Sequence, residues 1–405
     1  MRAFLHLHIA SHFTTFNHHK SRNILLIMKK KHVILILLAA AAVGIRLGFF
    51  SYETDDYLNF LSRWVEFFRQ NGGFAALKYS VGNYNIPYLY FLAAFSYLNI
   101  NDLYLIKALS CLFDFLLAFA GAKIVYECSG KKNAALGCFF AVLFLPTVVI
   151  NSSLWGQCDS IYVSLALLGI YFALKNRPCL SMVFMSLSFG FKLQAVFLLP
   201  VCLLLLIMRK YRWYHFFIFP GAYFLQILPA VLIGRPIKDA VMLYFDQLGT
   251  VGSAPNYNAP SLNALTGGEG SVIAAFAAMA VIILLAFILR KRLSLSSFLI
   301  LSCLMVTVIP FLLPHMHDRY FFAADVFCLV LLFSSLRDAV PLVSACLCQQ
   351  FASLICYLAY LTGHYLRFGN GWLLNSKGSA AILIALAVYL IMFVLEITKA
   401  PPAKR

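Results

Sequence analysis

Runs of about twenty apolar residues recur along this chain from Val33 to Phe393, and that length matches a helix crossing a hydrocarbon layer of roughly 30 Å. About twelve such runs can be placed, which would occupy roughly 240 residues. With 62% hydrophobic residues, 12% charged residues and a mean hydropathy of +0.85, the chain carries more apolar side chain than one water-exposed globule of 405 residues could hide. The expected fold is therefore all-α, a polytopic transmembrane helical bundle of about twelve spans in contact with membrane lipid.

The net charge of +17 does not point to nucleic acid. Lys and Arg sit in small clusters between apolar runs and form no continuous basic face with interleaved aromatics. The eleven cysteines, Cys111, Cys138, Cys202, Cys303 and Cys328 among them, lie mostly inside apolar runs without CxxC spacing. They read as small core hydrophobes, with neither a zinc site nor a disulfide framework implied.

Sidedness follows from the retention of Lys and Arg in short cytoplasmic loops. Lys29, Lys30 and Lys31 place the start of the first span inside, and Lys131 and Lys132 belong inside as well. Parity then requires that the stretch from Tyr88 to Leu98 does not cross. It starts after Pro87 and holds only about a dozen apolar residues, so it is expected to lie along the outer surface as an interfacial helix. Every later basic cluster falls inside: Lys175 with Arg177, Arg209 with Lys210 and Arg212, Arg290 to Arg292, Arg337, and Lys404 with Arg405. The outer face keeps the loops 51–101 and 234–270 and ten of the fifteen acidic residues, so polar chemistry gathers there. Residues 1–27 hold five of the ten histidines and no acidic residue. They read as a dispensable or mis-assigned extension before Met28, with a His-rich metal arm as the alternative, and 28–405 as a single transmembrane unit without repeats.

Four outer constellations could carry chemistry, because polar groups near a bilayer are costly unless they line a cavity or pair. Tyr52-Glu53-Thr54-Asp55-Asp56-Tyr57 precedes an amphipathic stretch through Phe60, Trp64 and Phe68. Its adjacent carboxylates would either cap a helix or act as a general base with a neighbour that orients it or holds a cation. Trp155, Gln157 and Asp159 form an aromatic, amide and carboxylate set suited to a sugar. Lys192 is a lysine on the outer face, against the positive-inside bias, and calls for an anion. His315 and His317, at i and i+2, do not share a helix face and so suit zinc poorly. With Arg319 they could clamp a phosphate, the arginine supplying bidentate geometry. The outer loop adds Asn258 and Asn263, whose amides suit hydroxyl-rich ligands. No Walker motif, Rossmann fingerprint, GxSxG elbow or HExxH occurs.

In this order the residues Asp55-Asp56-Tyr57, Asn83-Tyr84-Asn85-Ile86-Pro87, Leu154-Trp155-Gly156-Gln157-Cys158-Asp159, Phe191-Lys192-Leu193-Gln194, Asn258-Ala259-Pro260-Ser261-Leu262 and His315-Met316-His317-Asp318-Arg319-Tyr320 resemble the GT-C superfamily of membrane glycosyltransferases. The closer likeness is to bacterial relatives of the GPI mannosyltransferases that act late on the anchor, and it spans residues from about Ser51 to Asp325. The resemblance implies a mannose-like hexose donor linked through phosphate to a polyprenol, a glycan or lipid acceptor, and an outward-facing active site in the bacterial cytoplasmic membrane. It also implies a carboxylate of the first outer loop as base in an inverting transfer. Carried onto this chain, Asp56 is the first choice for the base and Asp55 the second. Lys192, His315, His317 and Arg319 would receive the donor phosphate, and Trp155, Gln157, Asp159, Asn258 and Asn263 the sugar or acceptor. No cofactor is certain, and a divalent metal is left open. A lipid-linked polysaccharide ligase or polymerase is the alternative, followed by a secondary transporter.

Overall fold

A computed structural model of the chain describes residues 32–249, 254–268, 270–335, 339–361 and 371–399. The expectations for residues 1–31, Glu269, Arg337, Lys404 and Arg405 lie outside the described residues. The chain divides into two compact units, residues 1–48 and 49–405. The first contributes one apolar helix, α1 (His32–Leu47), near whose end Arg46 turns back to donate to the Ala42 carbonyl at 3.0 Å.

The second unit is a bundle of helices with two-residue strands as its only sheet among the described residues. Tyr57–Leu61 and Ser62–Gln70 run on as α2, followed by α3 (Ile86–Phe95), α4 (Asp102–Ser129), α5 (Lys132–Leu143) and α6 (Pro146–Leu154). Then come α7 (Asp159–Leu174), α8 (Pro178–Phe191), α9 (Leu193–Ile207), α10 (Trp213–Ile233) and α11 (Ile237–Gly249). The last third holds β1 (Asn256–Tyr257), α12 (Leu262–Thr266), α13 (Val272–Ile288), α14 (Leu295–Leu312), β2 (Met316–His317), α15 (Phe322–Ser334), α16 (Ala339–Leu361) and α17 (Gly371–Lys399).

The chain is a multi-pass membrane protein by the length and apolarity of its helices. Five described helices are long and apolar enough to cross a bilayer, α4, α10, α14, α16 and most of α17, and a sixth span arises when α5 and α6 count together. Seven further apolar helices are shorter, which is where this tally departs from about twelve runs. Prolines explain part of the shortening. Pro146 lacks an N–H and forces Leu145 into an extended conformation, so α5 and α6 meet at a 48° bend. α3 is ten residues long and rises about 15 Å, half the thickness of a hydrocarbon core.

Burial sorts the helices into an inner and an outer set. α7 buries fourteen of its sixteen residues and packs against α4 and α8, while α14 packs against α13, α15 and α17. α10 buries only Ile227 and Ala230 of its second part and points Leu225 and Leu232 outward, and α13 likewise exposes Ile273 and Phe276. Apolar side chains on the outside of a bundle that already has a filled core are what lipid contact requires.

Helix direction sets the site. α6, α8, α14 and α16 finish at one end of the bundle, where α7, α9 and α15 begin. The basic turns at 131–132, 175–177, 209–212 and 290–292 fall at the other ends of these helices. At the first end β1 and β2 pair in parallel, Asn256 with Met316 and Tyr257 with His317. His315 N–H to the Pro255 carbonyl (2.9 Å) and Asp318 N–H to the Tyr257 carbonyl (3.0 Å) extend the pairing. The pair ties the loop before α12 to the segment before α15.

Candidate functional site

A cavity of about 620 Å³ opens at that end, and chain segments far apart in sequence line it. Asp56 stands at the N-terminal boundary of α2 and Trp64 within it, Tyr84 comes from the α2–α3 connection, and Gln157 from the α6–α7 turn. Lys192, Asn258, His317 and Arg319 follow from later turns, and Tyr360 comes from the end of α16.

Asp56 is placed from both sides. The segment before it is anchored by Lys107, whose ammonium donates to the carbonyls of Phe49 (2.8 Å), Phe50 (3.3 Å) and Tyr52 (2.5 Å). Thr54, not an aspartate, accepts the Tyr57 N–H, and its hydroxyl donates to the Trp155 carbonyl at 3.2 Å. Neither Asp55 nor Asp56 therefore has to cap α2, and the carboxylate of Asp56 is released to the cavity. There Oδ2 accepts from Trp155 Nε1 (2.9 Å) and Gln157 Nε2 (2.7 Å), and Oδ1 from the Tyr360 hydroxyl (2.8 Å). Three donors define the carboxylate plane and leave acceptor capacity on Oδ1. Asp55, about 100° round the helix from its neighbour, is exposed and absent from the cavity wall. Helical geometry thus separates the two candidates for a base.

Opposite lies Arg319. Its Nη1 is 3.9 Å from Asp56 Oδ2 and 3.8 Å from Asp318 Oδ1, and its carbon centre sits 5.4 Å from the Trp155 ring. Among the described residues its side chain makes no hydrogen bond, and Nε is buried without a partner. Burial works against the guanidinium charge, but Tyr84, Asp318 and Asp56 outweigh it and raise its pKa above the ordinary value. The result is a charged fork with two long ion pairs and, among the described residues, no side-chain hydrogen bond.

The other expected anion ligands behave differently. Lys192 leaves α8 in an extended conformation and donates to Asp159 Oδ1 at 2.5 Å, both side chains nearly fully buried. Asp159 also accepts from Asn151 Nδ2 at 2.7 Å and does not line the cavity, so it is a counter-ion instead of a sugar ligand. His317 lines the wall and stacks on Tyr257 with ring centres 4.6 Å apart and nearly parallel. Burial, aided by Arg319 and Lys192, pulls its pKa down to about 3, so it offers a phosphate a neutral N–H and no charge. His315 is turned away by its left-handed backbone (φ 58°), and its Nδ1 contacts the Ala254 carbonyl at 2.7 Å. It closes the strand pair and does not reach the cavity.

Of the expected sugar ligands, Gln157 and Asn258 line the cavity, and Gln157 Oε1 also accepts from the Tyr84 hydroxyl at 3.1 Å. Trp155 is fully buried behind the wall and acts on the cavity only through its N–H. Asn263 lies within α12, away from the lining. Reading the sequence missed Tyr360 and gave Tyr84 and Asp318, which lie in its motifs, no role of their own. Tyr360 stacks on Trp155 at 4.5 Å and 14°, which aims its hydroxyl at Asp56. Asp318 is a buried carboxyl whose pKa is pushed up to about 7 by burial, with Arg319 opposing.

A divalent metal fits poorly. Among the described residues no three His, Cys, Asp or Glu side chains gather as ligands. The one carboxylate that reaches the cavity beside Asp318 is turned to N–H and O–H donors, and Arg319 already stands between the two. No protein-family model matches the chain, and no curated protein is similar enough to it to count as a match.

Proposed function

We propose that the chain is a membrane glycosyltransferase of GT-C type that transfers a mannose-like hexose from a polyprenyl-phosphate donor to a glycan or lipid acceptor on the outer face of the membrane. One observation carries the reading: a carboxylate held by three donors stands 3.9 Å from a guanidinium whose side chain makes no hydrogen bond among the described residues, and both line one cavity at an end of the bundle. In this reading Asp56 Oδ1 accepts the proton of an acceptor hydroxyl as that oxygen bonds to the anomeric carbon. The bond from that carbon to the phosphate oxygen breaks, its electron pair leaves with the polyprenyl phosphate, and the centre inverts. Arg319 receives the departing phosphate through paired N–H donors, and His317 adds a neutral donor. The rings of Trp64, Tyr84, Tyr257 and Tyr320 supply faces for sugar and isoprenoid carbons. No step uses a metal.

A polysaccharide ligase would lean on an outer-loop arginine, but Arg235 is buried and donates to the Tyr79 carbonyl at 3.0 Å. The test is direct. Purified protein given polyprenyl-phosphate hexose and an acceptor should release polyprenyl phosphate, and Asp56→Asn should lower turnover by about 10² to 10⁴ while folding normally. Full turnover in that variant would remove the proposed base.

A further inference from the structure

α15 and α16 pack antiparallel, joined by residues 335–338, and each presents one buried cysteine to the other. Cys328 lies six residues before the end of α15 and Cys346 seven after the start of α16, so each stands about 10 Å along its helix from the connection. The two are level by helix length alone, before any side chain is considered. Their Sγ atoms are 2.8 Å apart. Two non-bonded carbon atoms rest at about 3.5–4.0 Å, and sulfur is the larger atom, so the packing of two inert thiols does not account for this approach.

All eleven cysteines are free thiols, and the pair differs from the rest. The Cys111 thiol turns to Ser152 Oγ at 3.8 Å and that of Cys356 to Asn375 Oδ1 at 3.7 Å, as small core residues with a weak donor do. Among the described residues Cys328 and Cys346 make the one sulfur-to-sulfur contact. Cys328 is fully buried, whereas Cys346 keeps 8% exposure.

We propose that Cys328 and Cys346 are a peroxide-responsive thiol pair that closes to a disulfide between α15 and α16. Hydrogen peroxide is small and uncharged, which suits it to a thiol inside a helical bundle. The Cys346 sulfur takes one peroxide oxygen as a hydroxyl, the O–O bond breaks, and the thiol proton leaves with the other oxygen as water. Cys328 Sγ then bonds to Cys346 Sγ, the S–O bond breaks, and the departing hydroxyl carries off the Cys328 proton as a second water. Two thiols and one peroxide give one disulfide and two waters. A sulfenic acid with its partner already in contact is captured before it reaches the irreversible acids. The bond would join the two elements that flank the cavity late in the chain: α15 begins three residues after Arg319, and α16 carries Tyr360 at its end. The proposal rests on no part of the glycosyltransferase reading.

The experiment treats the purified full chain in detergent with hydrogen peroxide, removes the oxidant with catalase, unfolds the protein and alkylates every remaining thiol before peptide mass mapping. Exposed Cys179 reports that the peroxide has acted. The expected result is that Cys328 and Cys346 lose alkylation together, that a cross-linked peptide joins them two hydrogens lighter than the free peptides, and that dithiothreitol restores both. In Cys346→Ser, Cys328 should stay alkylated under the same treatment. The parent map decides alone if that variant does not fold. Oxidation of Cys179 with both members of the pair still alkylated overturns the proposal. A link from either one to Cys303 or Cys348 overturns it too, as does loss of alkylation at one without the other.

Discussion

Replacing Lys192 by Met should damage the fold more than the chemistry. The ammonium sits 2.5 Å from Asp159 with the two side chains 6% and 2% exposed, so neither charge has water to fall back on. Methionine fills much of the same volume but leaves Asp159 with a single donor, Asn151. Removing one partner of a buried ion pair typically costs about 3–5 kcal/mol, because the survivor is stranded in a low dielectric. For a chain of this size that corresponds to a fall of about 4–6 °C in the thermal midpoint. The partner change provides the control. Asp159→Asn in the Lys192→Met background removes the stranded charge and should recover most of the loss, giving a strongly non-additive cycle. The assay is unfolding of the four proteins in one detergent, followed by tryptophan fluorescence. If Lys192→Met unfolds like the parent and only its affinity for the phosphate donor falls, the ion pair is not structural. Lysine would then be the anion ligand its sequence position suggests.

Tyr360→Phe keeps the ring stacked on Trp155 and deletes one charge-assisted hydrogen bond to Asp56. Transfer should slow by about 10- to 100-fold with the thermal midpoint unchanged, and an unchanged rate would refute the positioning role. The pH dependence of stability should carry two opposed contributions. Folded Asp318 keeps its proton until about pH 7, whereas the unfolded chain releases it near 4, so its contribution is lost as pH rises between those values. His317 does the reverse: its folded form refuses a proton that the unfolded chain takes up below about 6.5, so stability is lost as pH falls from there toward about 3. Asp318→Asn should therefore gain stability relative to the parent as pH climbs from about 4 to 7, and a difference independent of pH would contradict the buried carboxyl. Sidedness can be read with an impermeant maleimide on intact cells. Native Cys179, exposed beside the basic turn at 175–177, should stay unlabelled while Asp55→Cys reacts, and the opposite pattern would invert the topology.

Apolar run length revealed a helical membrane bundle because backbone groups in lipid can be satisfied only internally, which ties composition to helix. Span number was less legible, since a run of twenty apolar residues says nothing of a Pro146 that splits it or of a helix shortened to wrap a cavity. For the site, charge and amide groups at the turns were visible as misfits against an apolar background, and Asp56, Gln157, Lys192, Asn258, His317 and Arg319 do meet at one cavity. Their division of labour was not visible. The pairing of Lys192 with Asp159 depends on a distance between α7 and α8, and the difference between His315 and His317 depends on one left-handed φ. Tyr360 carried no signal, because one tyrosine near the end of an apolar helix resembles any interfacial aromatic.

Asp56 and its partner Tyr360 are 304 positions apart. During synthesis the segment that carries Asp56 would emerge long before α16 leaves the ribosome. Until that late helix docks, the carboxylate lacks one of the three groups that orient it. On the proposed reading of Asp56 as the base, a nascent or truncated protein ending before Tyr360 would thus lack the last group that aims it, and the capacity for transfer would switch on only when assembly is almost finished.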